Sequence, residues 1–465
     1  MSDDTTASAA DRAEAVRPAT GTVTFRDVFA VREYRAVYLA LVVNWVGDYL
    51  ARAAITVLVY QQTRSILLSA ASFAISYLPW VLGGPLLAAL AERYPYRRVM
   101  VVSDLLRMVL IGLVAVPQLP VGVVLILAFL SMLTSPPAQA ARSALLPLVL
   151  DRPRVVVALA LNATTTQAAQ VVGYLFGATV AAASSARLTI AVGALMFGMS
   201  AAFIAAGVRP RPSARSAQAR SHLLRETGEG FRVVFGNRVL RPIAVLVFTM
   251  TIFAIVPEGL AAGWAAEVNP NPATRGLDQG VIMAAGPVGW VIGGLLISRL
   301  VSADNRARLV RPLSIASALA LVPAVTHPPV EIIAALVVIS GIAQGGIMPT
   351  LNGLFVLALP HGYRARAFGV MQGGMQIVQG TAVVVTGFIA QHSSVPLTVG
   401  LWSVGGVAVM IVLAARWPRP AVFESEIAAA ASHPAPTEWP RREHASALSR
   451  RVPAASATRV TPDNG

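Results

Sequence analysis

Apolar stretches of membrane-spanning length recur from Ala36 to Arg416, parted by short polar breaks. A helix rises 1.5 Å per residue, so about 20 apolar residues cover a hydrocarbon core about 30 Å thick. The pattern predicts twelve helical spans: 36–60, 66–91, 99–116, 121–141, 156–182, 188–208, 242–265, 279–298, 312–326, 331–357, 367–390 and 397–415. Proline marks several breaks, at Pro117 and Pro120, Pro328 and Pro329, and Pro396, where a helix should stop.

Arginine tests the count. Of the 37 basic residues, all of them Arg, 32 fall in the N-terminus, the even-numbered connections and the C-terminal tail. Only Arg64, Arg187 and Arg275 fall in odd-numbered connections, and Arg52 and Arg107 lie inside spans. Arginine retained in the cytoplasm sets orientation, so both termini are expected there. The expected organisation is an N-terminal segment (1–35), a six-helix bundle (36–208), a central loop with a surface helix (209–241), a second bundle (242–415) and a disordered tail (416–465). In the central loop, Leu223 to Val239 sets apolar residues at helical spacing between arginines, which suits a helix on the membrane surface. Residues 1–20 and 420–465 are rich in Ala, Ser, Thr, Pro and charge, as disordered segments are.

The two bundles match at one offset. Trp80-Val81-Leu82-Gly83-Gly84 returns as Trp290-Val291-Ile292-Gly293-Gly294, 210 positions on, and the same shift takes Asp48 to Glu258, Gly177 to Gly387 and Arg98 to Arg308. Parallel six-helix repeats imply a pseudo-two-fold axis along the membrane normal and a cavity between the halves.

Composition narrows the chemistry. The net charge of +15 is scattered between apolar segments, which argues against nucleic acid as a partner. Without Lys there is no P-loop and no Schiff-base lysine. Without Cys there are no disulfides or thiolate metal sites. The six histidines fall in loops, tails or helix ends, so neither a metal site nor an enzyme is expected.

The segment Gly84-Pro85-Leu86-Leu87-Ala88-Ala89-Leu90-Ala91-Glu92-Arg93-Tyr94-Pro95-Tyr96-Arg97-Arg98 resembles the loop between helices 2 and 3 of the major facilitator superfamily. The family's usual pattern is Gly-x-x-x-Asp-Arg-x-Gly-Arg-Arg; here Ala88, Glu92, Pro95 and Tyr96 replace Gly, Asp, Gly and the first Arg of the final pair. Pro95 followed by Ser103-Asp104-Leu105-Leu106-Arg107 is similar to the branch of bacterial siderophore exporters and macrolide-type drug efflux proteins. Gly173-Tyr174-Leu175-Phe176-Gly177 loosely resembles the family's antiporter motif but lacks its proline, so antiport stays open. The resemblance implies an all-α membrane fold of twelve helices in two pseudo-symmetric bundles. It also implies a secondary transporter in a bacterial cytoplasmic membrane. Its partners would be a small-molecule substrate, protons and lipid. It would act as a monomer without a cofactor, drawing on the proton gradient.

Charges inside the bilayer are costly and mark function or pairing. Asp48 and Arg52 sit four apart on one face of span 1, where they either neutralise each other as a structural pair or serve proton coupling, with Arg52 tuning Asp48. Glu258 follows Pro257 in span 7 and is a second candidate for a proton or cation, or a solvated residue at the cavity mouth. The resemblance implies that Glu92 closes the cytoplasmic side. A latch of Glu92, Asp104, Arg107 and Arg142, beside Arg93, Arg97 and Arg98, is expected there, made in the outward-open state and broken in the inward-open one. Asn44, Asn162, Gln167, Gln170, Gln372, Gln376 and Gln379 offer a polar stripe on the cavity wall or glue between helices. Trp45, Tyr49, Tyr77 and Trp290 are candidates for lining a cavity that is otherwise mostly apolar. The reading that follows is proton-coupled export of a small amphipathic molecule. An importer or facilitator of a small metabolite, or a non-transporting sensor or scaffold, are the alternatives.

Overall fold

The computed structural model describes residues 24–79, 94–211, 223–360 and 363–432. Among the described residues the helices group into twelve rods or parts of rods: α1 (Arg32–Thr63), α2 (Ile66–Ala74), α3 (Tyr96–Val114), α4 (Val121–Leu133 and Ser135–Val149), α5 (Arg152–Val180), α6 (Ala186–Gly207), α7 (Leu240–Ala254 and Val256–Val268), α8 (Pro272–Leu300), α9 (Ala303–Leu319), α10 (Val330–Leu357), α11 (Arg364–Gln391) and α12 (Val395–Ala415). Among the described residues nine helical runs are long and apolar enough to cross a membrane, and one of them, Pro153–Gly207, holds both α5 and α6. The outward surfaces carry exposed Leu, Ile, Val and Phe, such as Leu195, Leu300 and Phe388. Such faces suit lipid, where every backbone group must find its partner within the helix.

The breaks have local causes. Arg64 ends α1 in the left-handed region (φ 53°), and Ser65 accepts from the Leu68 amide to start α2. Thr134 parts the two pieces of α4 ahead of Pro136 and Pro137. In α7 the chain turns at Ile255, and Pro257 and Glu258 fall in the first turn of the second piece. Proline suits that turn because its missing N–H is unpaired there anyway.

Glycine sets how closely rods approach. In the second half α8 and α10 meet almost backbone to backbone: a Cβ on Gly293 would stand 2.0 Å from the Ile342 carbonyl, and one on Gly345 would stand 2.0 Å from the Trp290 carbonyl. Trp290 to Gly294 thus form this seam; their counterparts Trp80 to Gly84 lie outside the described residues. The repeat is visible in contacts as well. Gly177 of α5 rests on Leu50 of α1, and 210 positions on Gly387 of α11 lies near Leu260 of α7. One contact is exchanged: Gly173 receives Tyr49, whereas in the second half Gly259 receives Val383. The small residue has moved from the fifth rod of the repeat to the first.

The two halves meet at the end that carries the odd-numbered connections. Gly276 and Gly280 of α8 press on Ala178 and Leu175 of α5, and Gly263 of α7 on Ile66. Gln279 donates to the Thr56 hydroxyl (2.9 Å), and Ser65 donates to Gln391 (3.0 Å).

At the opposite end, helix Leu223–Gly236 lies against α11, with Gly230 over Arg366 and Val370. Glu33 binds Arg211 through both guanidinium nitrogens and accepts from the Arg209 amide at 3.1 Å. Those bonds raise Arg211 above its ordinary value. The tail expected to be disordered from 416 is instead helical over Pro420–Ser432. Phe423 is buried there, stacks near Trp417, and Glu426 accepts from Asn237 at 2.9 Å. Apolar cover outweighs the Ala-rich composition that suggested disorder. Residues 1–20 and 433–465 lie outside the described residues.

Candidate functional site

Between the halves, on the inner side of the odd-end seal, lies a cavity of about 450 Å³. The first half contributes Asp48, Arg52, Gln167, Gln170 and Tyr174, and the second contributes Glu258, Trp290, Gln344, Gln372, Gln376 and Gln379. Trp45, Tyr49 and Tyr77 also line it. With Gln139 the wall carries seven glutamines, so it is more polar than the sequence suggested. Gln139 and Gln344 went unnoticed in the sequence. Their signal was a polar side chain four residues from a serine, Ser135 and Ser340, within apolar runs. The Gln344 amide donates to the Ser340 carbonyl and hydroxyl (3.3 and 3.2 Å). The buried Oε1 of Gln376 has no hydrogen-bond partner among the described residues.

Asp48 is 2% exposed and doubly paired. Arg52, one turn on, donates to Oδ2 at 2.9 Å, and Arg107 of α3 closes on Oδ1. Aromatic rings hold both cations. Arg52 lies 5.4 Å from the Tyr49 ring centre and 5.9 Å from those of Phe73 and Tyr77; Arg107 lies 4.2 Å over Phe197. The ring faces are negative and attract the guanidinium.

Behind this pair a second acid is satisfied within the first half. Asp104 accepts from Asn44 (2.7 Å) and Ser200 (2.6 Å), and Arg107 reaches Asn44 at 3.3 Å. Arg142 is buried and acts on Asp104 through charge without a direct bond. With the odd end sealed, the expected latch is unmade at Asp104 and Arg107. Asp104 lies about 12 Å along α3 from its start, so Asp104 and Arg107 tie α1, α3 and α6 together at the level of Asp48. Arg97 instead donates to the Ala205 carbonyl at the end of α6, and Arg98 is exposed. Glu92 and Arg93 lie outside the described residues. Asn44 and Asn162 are also relocated away from the cavity wall: Asn44 serves Asp104, and Asn162 accepts from Tyr34 at 3.1 Å.

Glu258 stands in contrast. It begins the second piece of α7, where unpaired helix amides favour an acid. Its Oε2 accepts from Gln170 of the opposite half at 3.4 Å. Among the described residues no guanidinium lies within ion-pairing distance of it, and Gly286 leaves room beside its other oxygen. At the 210 offset Asn44, Arg52, Asp104, Arg107 and Arg142 correspond to Ala254, Ala262, Ser314, Ser317 and Asn352. The second half therefore keeps the acid and drops the ionic network around it. Among the described residues no cluster of His, Asp or Glu could hold a metal ion.

The fold has wide company at low identity. The nucleoside transporter NupG superposes with a TM-score of 0.60 at 13% identity, covering 81% of this chain and 98% of that one. A POT family transporter in complex with 5-aminolevulinic acid gives 0.63 at 11%, covering 84% and 96%. A bacterial homologue of the human lysosomal transporter Spinster, inward-facing and occupied, gives 0.58 at 11%, covering 86% and 97%. Compared with curated protein sequences, the chain has no match. The model described as Major Facilitator Superfamily matches residues 37–310 and 259–457. With that match across both repeats, and a polar cavity where the repeats face each other, the chain belongs to the major facilitator superfamily of membrane transporters.

Proposed function

We propose that the chain is a proton-coupled exporter, working by alternating access in a bacterial cytoplasmic membrane. The observation that carries this reading is Glu258: a carboxyl between the halves, bonded to a neutral amide of the opposite half. A proton added there removes a charge at the seam, which biases the two-state equilibrium. Asp48 is a poor candidate for that role, because two guanidinium groups already hold its charge. Its part is to fix Arg52 at the cavity wall.

The substrate suited to this wall is a small molecule with several hydrogen-bonding groups on an apolar frame. Glutamine offers both donor and acceptor, the Gln376 oxygen is free to accept, and Trp45, Tyr49 and Trp290 supply apolar surface. Export is the direction of the branch that Gly84 to Arg98 and Ser103 to Arg107 resemble. With the arginine-rich connections cytoplasmic, the sealed odd end faces outward. The test is accumulation of candidate compounds in cells with and without the gene, each with and without a protonophore. Lower accumulation that the protonophore abolishes supports the reading. Equal accumulation in all four arms for every exported candidate would sink it.

A further inference from the structure

A second cavity, of about 210 Å³, opens at the sealed odd end. Val57, Tyr60, Gln61 and Arg64 of the first half form one wall, and Arg275, Gly276 and Gln279 of the second form another. Only three arginines lie in odd-numbered connections of the sequence. One of them, Arg187, donates to the Val116 carbonyl and caps the end of α3. The other two share this cavity, one from each half.

Neither guanidinium meets a carboxylate among the described residues. Arg275 donates to the carbonyls of Asn269 (3.0 Å) and Pro270 (2.9 Å), which anchor its stem side and leave further N–H groups. Arg64 is exposed and makes no side-chain bond to a described residue. Closing this end therefore gathers two like charges into one pocket. Gln279, 3% exposed, seals the floor through Thr56. Repulsion of this kind is offset by an anion that takes bonds from both forks, and guanidinium matches tetrahedral and planar oxyanions in particular.

We propose that this cavity binds a phosphate-type oxyanion between Arg64 and Arg275, and that the bound anion clamps the odd end shut. The ligand chemistry is shared by free phosphate and by the phosphodiester of an anionic lipid headgroup. Because the anion contacts both halves only when they are together, it binds the closed state preferentially, and closure and anion affinity rise together by the same factor.

The chain has no cysteine, so paired labels report the seal directly. Gln62→Cys and Leu277→Cys, both exposed, would carry spin labels across it in the full chain. Distances are measured in phosphatidylcholine nanodiscs with inorganic phosphate titrated in, and separately in nanodiscs with and without phosphatidylglycerol. The expected result is a shift of about tenfold in the ratio of near to far distances, within the usual range for linked sites. It should saturate in at least one arm. A response to phosphate names the free anion as ligand, and one confined to phosphatidylglycerol names the headgroup. Adding Arg64→Gln and Arg275→Gln together should abolish the response. No shift in either arm, or an equal shift in the double-Gln variant, overturns the proposal. The readout needs neither a proton gradient nor a substrate, so it stands apart from the test of export.

Discussion

Arg107 closes on Asp48 from a neighbouring rod, so the carboxylate that Arg52 was expected to serve alone is shared by two guanidinium groups. Asp48 thus joins α1 to α3. Asp48→Asn would leave Arg107 in the core, and Arg52 at the cavity wall, without the carboxylate that pairs both. We expect a loss of about 3–5 kcal/mol, the usual result of breaking one side of a buried pair. Thermal unfolding of the purified protein in detergent checks it, and an unchanged midpoint would show the pair to be dispensable.

Glu258→Gln should behave differently. The glutamine can keep the contact with Gln170 and carries no exchangeable charge. Transport driven by a pH gradient in proteoliposomes should be lost, while substrate counterflow without a gradient persists. Loss of both would assign Glu258 to the substrate, and retention of both would remove it from coupling.

Glycines at the two seams should report different events. A Cβ on Gly280 would stand 2.8 Å from the Leu175 carbonyl, across the boundary between halves. Gly280→Ala should therefore spread the odd end and raise maleimide labelling of a cysteine placed at buried Val57. Gly345→Ala strikes the Trp290 carbonyl within the second half, where nothing can part. It should instead cost about 1–3 kcal/mol of stability. Equal effects of the two on labelling would contradict this division.

The exchanged contact of the repeats makes a compensation test. Gly259→Ala would push a methyl to within 2.5 Å of a Val383 methyl. The single variant should lower the melting temperature. Adding Val383→Ala should recover most of the loss, because total volume is then nearly restored. Failure to recover would mean that backbone freedom at 259, and not space, is what the position requires.

The rods were legible in the sequence because a span has one requirement, about 20 apolar residues, and the arginine bias checks the count independently. Asp48, Arg52, Glu258 and five of the glutamines were legible for a related reason: a polar group inside such a run demands an explanation. Pairing was not legible. Whether Asp104 meets Asn44 and Ser200, or the arginines of the expected latch, depends on how α1, α3 and α6 cross, and helical spacing within one rod is silent on that. The tail helix was missed because its composition resembles a disordered segment, and only the docking of Phe423 and Glu426 selects the fold.

Among the described residues, the ion pairs sit inside one bundle or tie a bundle to the central connection. The bonds spanning the boundary between bundles are few and donated by uncharged groups: Gln279 to Thr56, Gln170 to Glu258, and Ser65 with the Leu67 amide to the Gln391 oxygen. On the alternating access proposed above, each stroke would exchange amide and hydroxyl partners for water at little net expense. On that cycle the first bundle would travel as a rigid body, carrying the Asp48 pairs with it. On the proposed cycle such a machine would keep its two endpoints near in energy, so that one proton or one cargo molecule would tip it.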